Sequence, residues 1–123
     1  MKRIELTDMT TADLVERFAQ IGVAQDQALL GGEIAKFNRL FDRMSDVSDE
    51  LKSRQGDQRR ALMVLYNYPN IQVRLKAAKH TLAVAPTEAR QQIEAIAASN
   101  LMPQAADAGM SLWNLDRGVY KPT

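Results

Sequence analysis

Apolar side chains recur along most of this chain at spacings of three and four, the period of one face of an α-helix. The clearest run is Ile34, Phe37, Phe41, Met44 and Leu51, with Ser48 in the one polar slot and Leu40 and Val47 widening the stripe. Asp42, Asp46, Asp49 and Glu50 occupy the outward face. The pattern predicts a bundle helix that turns its stripe to a core. A coiled-coil seam would need more heptads than this helix offers.

The preceding segment predicts a first helix capped by Thr10 or Thr11, with Asp13 in its first turn and a stripe of Leu14, Val15, Phe18, Ala19 and Ile21. A hydroxyl cap and an early carboxylate both suit the orphan amides of a helix start. Gly22 is a candidate kink, and Gly31-Gly32 is the expected terminator after Leu30. Past Gln55-Gly56-Asp57, Asp57 is a candidate cap for a third helix through Ala61–Tyr66. That run has no polar face, which predicts burial on more than one side. Pro69 stops it and Asn70 caps a fourth helix, from Ile71 to about Val84.

On a wheel, Ile71, Leu75, Ala78 and Leu82 share one narrow sector, while Val73, Ala77 and Val84 lie roughly opposite. Two apolar stripes imply two packing partners, as in an interior layer of stacked helices. Pro86 opens a fifth helix through Ile93 and Ile96. Pro103 is placed to open a sixth, with a stripe of Ala105, Ala108, Leu112 and Leu115 and Gly118 as terminator. Gly109 inside this last helix suggests close approach of another backbone. Trp113 and Tyr120 are expected to pack against the terminal helix or tail.

Helices three and four, then five and six, read as two hairpins. An offset of 30 aligns Asn70 with Asn100, Ala78 with Ala108 and Leu82 with Leu112. This is a weak repeat at a period short for stacked helical hairpins. The stretch Asn70-Ile71-Gln72-Val73-Arg74-Leu75-Lys76-Ala77-Ala78 resembles the second helix of a HEAT repeat, where Val-Arg precedes paired small residues. The resemblance implies helices brought close by those small residues. It also implies an acidic turn residue paired with the Arg, but Asn70 stands in that place.

A second resemblance covers most of the chain. Gln72–Ala78, Leu82-Ala83-Val84-Ala85-Pro86, Ala89-Arg90 and Pro103-Gln104-Ala105 are similar to a small bacterial family, domain of unknown function two-thousand-nineteen. Phe37-Asn38-Arg39-Leu40 and Glu50-Leu51 fit it too. The resemblance implies a HEAT-like helical domain and supplies no activity. The fold expected is therefore all-α, about six helices in HEAT-like stacked hairpins, in a single domain over 1–123 with flexible ends at 1–10 and 119–123.

Composition changes this picture little. At 123 residues, 46% hydrophobic and 25% charged, the chain has the makeup of one globular domain. The absence of cysteine excludes a disulfide framework, a thiolate metal site and a Cys nucleophile. It fits a reducing compartment, and no apolar stretch reads as a leader or a membrane span, so a cytoplasmic location without membrane partners is expected.

Charge is more informative. The net +1 conceals an uneven distribution: residues 1–50 carry −4, residues 51–79 carry +6, and residues 80–123 carry −1. The basic block holds Lys52, Arg54, Arg59, Arg60, Arg74, Lys76 and Lys79 against Asp57 alone. Its cations either solvate helix ends and pair with acidic neighbours, or recognise an acidic protein or peptide, or contact nucleic-acid phosphates. The low net charge of the whole chain disfavours the last. Arg59, Arg60, Arg74, Lys76 and Lys79 are the candidate partner-binding residues.

Catalytic chemistry finds little support. His80 is the one histidine, with no Ser or Asp at a spacing that builds a triad. No metal-ligand spacing and no phosphate-binding glycine loop is present. The expectation is a non-catalytic interaction module without metal or cofactor, monomeric or weakly dimeric, with an acidic protein or peptide as partner. Nucleic-acid backbone binding through 52–79 is the alternative.

Overall fold

The computed structural model describes residues 5–123, so the first four residues of the expected flexible N-terminal end lie outside the described residues. All secondary structure among the described residues is helical, and the chain divides into two compact units, 1–61 and 62–123. No helix among the described residues is long and apolar enough to cross a membrane.

The first unit is a helical hairpin with a short lead-in. A 3-10 turn, Leu6–Asp8, precedes α1, Thr11–Leu30. Thr10 is the cap: its hydroxyl oxygen accepts from the Asp13 amide at 3.0 Å. The helix runs through buried Gly22 without interruption and closes at the two glycines. Gly32 adopts φ +67°, and the Gly32 and Glu33 amides donate to the carbonyls of Leu29 and Ala28. This is a Schellman closure, whose left-handed position favours glycine. α2 follows as Ile34–Ser53 and packs on α1.

The buried face of α2 is rotated from the stripe the spacing suggests. Leu40, Met44, Val47, Ser48 and Leu51 are buried, whereas Ile34 is 74% exposed and Phe41 47%. Ile34 stands at the hairpin tip beside the end of α1, where Leu30 is also exposed. At the other end, Arg54 closes α2 and ties down the lead-in. Its Nη2 donates to the carbonyls of Leu6 (3.1 Å) and Met9 (2.6 Å), and its Nε to Glu50 Oε2 (3.0 Å).

The expected third α-helix is instead a 3-10 segment, Gln58–Asn67. Its burial shows why the apolar run misleads. Arg59, Leu62 and Leu65 are buried at intervals of three, the period of a 3-10 helix, while Val64 within the run is exposed. One row of side chains is buried, not the whole circumference. Asp57 serves this start differently from a helix cap: at φ +52° it accepts from the Arg59 amide two residues on.

The second unit contains α3, Ile71–Thr81; α4, Pro86–Ala97; and α5, Gln104–Asp116. Asn70 caps α3, accepting from the amides of Gln72 and Val73. The helix ends three residues before Val84, and Pro86 supplies the first residue of α4. Both wheel stripes of α3 find burial: Leu75, Ala78 and Leu82 join Ala89, Ile93, Ile96 and Ala108 in one core, while Val73 and Ala77 are fully buried besides. Tyr66 packs on that core, and its hydroxyl meets Thr81 Oγ1 at 2.6 Å. α5 closes on Gly118 at φ +70°, with Gly118 and Val119 donating to the carbonyls of Leu115 and Asn114. The close approach expected at Gly109 does not occur: a Cβ there would meet nothing within 4 Å.

Candidate functional site

The five candidate cations have different fates. In the first unit, Arg59 is buried and holds Asp57 through Nε (2.9 Å) and Nη2 (2.7 Å). That guanidinium keeps the Asp57 carboxyl below its ordinary range. Arg60 beside it is exposed. The other three lie on α3. Arg74 is half-buried, with its Nε enclosed and lacking an acceptor. Lys76 is only 5% exposed. Burial above all, and then the charge of Lys79, push its amine down to about 8, with Asp107 opposing. Lys79 donates to Asp107 Oδ1 at 3.0 Å.

These contacts form a polar seam between α3 and α5. Gln104 Nε2 donates to Gln72 Oε1 at 2.9 Å, with both side chains buried. Asp107 takes Lys79 and also the hydroxyl of Ser111 at 3.3 Å. The seam brings Lys76, Lys79 and Asp107 together, and Lys79 and Asp107 pair within it. His80 lies half-buried on the same helix. Among the described residues, no group of three or more His, Cys, Asp or Glu side chains is placed to hold a metal ion.

The opposite side of α5 has another character. Gln104, Ala105 and Ala108 are buried, and Leu112 and Leu115 pack toward the core, which fixes the inward pole of the helix. Ala106, Met110, Trp113 and Arg117 fall within a sector of about 60° on the opposite pole. All four are exposed; Trp113 is 53% exposed, not packed away. The Arg117 guanidinium stacks over the indole, 4.4 Å from its centroid. Exposed Gly109 lies beside this stripe, and the tail folds back with the Val119 and Tyr120 amides on the Asn114 carbonyl. The sequence held the signal in the i, i+4, i+7, i+11 spacing, complementary to the buried stripe of the same helix.

The flanks of the stripe are closed electrostatically. Asp107 is held by Lys79, and Asp116 by Arg90 through two bonds of 2.9 and 3.2 Å. The Arg90 interaction lowers the Asp116 carboxyl and raises the guanidinium in turn. In the first unit, Glu5, Asp46, Asp49 and Glu50 line an open cleft of about 380 Å³ with Leu6, Thr7 and Ser53. Glu50 is already engaged by Arg54.

Fold and surface together define a small protein, all-helical among the described residues, with an exposed stripe centred on one tryptophan. The chain belongs to the family described as a domain of unknown function (DUF2019), whose model matches residues 12–116. It is similar to the protein RPA1889 from Rhodopseudomonas palustris CGA009, known from a crystal structure. The two share 59% sequence identity, with 98% of this chain and 100% of that chain covered and a TM-score of 0.94. No curated protein matches the chain.

Proposed function

We propose that this chain is a non-catalytic, HEAT-like protein-interaction module whose contact surface is the outward stripe of α5. The observation that carries the reading is the half-exposed Trp113, flanked by Met110 and covered on one face by Arg117. Tryptophan, methionine and arginine are enriched at protein interfaces, and Trp and Arg dominate measured hot spots. The succession of α3, α4 and α5 around one core is consistent with the stacking of a HEAT-like array. A protein is favoured over nucleic acid as partner because Arg59 and Lys79 are engaged by carboxylates and Lys76 is buried.

The test is affinity capture from the native cell, comparing the natural chain with Trp113→Ala and Arg60→Glu. Bound proteins should be lost with the first variant and kept with the second, while circular dichroism shows all three folded. Capture unchanged by Trp113→Ala would overturn the reading. A mobility shift of duplex or single strands at about 50 mM salt, lost with Arg60→Glu, would favour nucleic acid instead.

A further inference from the structure

We infer that the segment docking on the α5 stripe presents a carboxylate beside a large apolar side chain. This rests on the proposed interaction role and names the chemistry of the occupant. The argument is one of charge left over. Both carboxylates flanking the stripe are ion-paired, Asp107 with Lys79 and Asp116 with Arg90, which Glu94 shares at 3.3 Å. Arg117 has no carboxylate within salt-bridge distance among the described residues, and neither has Lys121 four residues on. The cations of this surface that lack a carboxylate partner sit at one end of an apolar row.

Geometry makes Arg117 suited to an incoming acid. Stacking on Trp113 occupies one face of the guanidinium and holds its plane, while the N–H edge stays available for a two-pronged carboxylate contact. An apolar neighbour of that acid has Met110 and the indole to cover, with open space above Gly109 beside them. A basic segment would bring a like charge against the unpaired edge of Arg117.

The experiment is isothermal titration of the full chain with three synthetic peptides that alternate leucine with glutamate, glutamine or lysine. The glutamate peptide should bind, the glutamine peptide about tenfold more weakly, and the lysine peptide not measurably. Arg117→Glu should reverse the order of glutamate and lysine peptides, an outcome that loss of folding cannot imitate. Trp113→Ala should abolish binding of the glutamate and glutamine peptides. An order unchanged by Arg117→Glu overturns the inference. So does sedimentation showing a dimer dispersed by Trp113→Ala, because a second copy then covers the stripe. Equal binding of all three peptides, lost in Trp113→Ala, removes the acidic preference alone and leaves the contact surface standing. Failure of every peptide, with cellular capture indifferent to Trp113→Ala, removes both.

Discussion

Lys76 stands one helical turn before Lys79 on α3, and burial leaves its side chain only 5% exposed. Its proton affinity is therefore lower in the folded protein than in the unfolded chain, about 8 against 10.5. The unfolded chain binds more protons between these values, so stability rises with pH across that window. Below about pH 8 the full cost is present, on the order of 3 kcal/mol. Lys76→Met should stabilise the protein at pH 7 and lose this excess pH dependence. Chemical denaturation of both proteins at pH 7, 9 and 10 checks it; parallel profiles would refute it.

Two glycines should respond in opposite directions to the same change. Gly109 sits in the helical interior of α5 with open space around it. Gly109→Ala should stabilise by about 0.5–1 kcal/mol, because alanine gives up less backbone entropy in a helix. Gly32 holds φ +67° at the end of α1, where a Cβ is strained, and Gly32→Ala should cost about 1 kcal/mol. Thermal melts of the two variants measure both signs.

Leu51 and Ile34 belong to one periodic stripe of α2 yet differ in energetic weight. Leu51 is fully buried and Ile34 largely exposed. Leu51→Ala should destabilise by about 2–5 kcal/mol, through lost burial and the cavity left behind. Ile34→Ala should stay within about 0.5 kcal/mol. Equal losses in urea titration would contradict the rotated seam.

Arg54→Met should loosen the lead-in while sparing the rest. The variant keeps most of the stem and removes the donors to Leu6, Met9 and Glu50. Hydrogen exchange at the Asp8 and Met9 amides, which close the first 3-10 turn, should accelerate about tenfold. Core amides of α3 and α4 should exchange as before.

Much of the fold was legible where one residue's own chemistry settles a local question. Thr10 and Asn70 cap as side-chain acceptors do, Gly31-Gly32 and Gly118 close helices, and Pro86 opens one. What periodicity could not tell is which part of a broad stripe meets a neighbour, since that depends on the rotation of the helix against its partner. The buried face of α2 centres on Leu40, Met44, Val47 and Leu51, and Ile34 and Phe41 fall to one side of it. In the run Ala61–Tyr66 unbroken apolarity hides the period, and only burial at every third residue reveals the 3-10 winding. Glycine in a helix says that a side chain is missing, not why, so Gly109 suggested a contact where there is open space.

The surface was harder to read than the core. A charge tally over 51–79 counts cations without seeing what they touch. Arg59 turns to Asp57 two residues away, and Lys79 to Asp107, 28 positions on. The tally thus gives Arg59 and Lys79, whose charges are paired within the protein, the same weight as exposed Arg60. Trp113 was assigned to packing because it is large and aromatic, although the inward pole of α5 was already filled by Ala105, Ala108, Leu112 and Leu115.

Trp113 is the one tryptophan in the chain, and it stands outside the core. The native emission should already be red-shifted, and unfolding should move it little. Loss of structure in the interior is then nearly silent in indole fluorescence, and a blue shift reports something arriving on the outer face of α5.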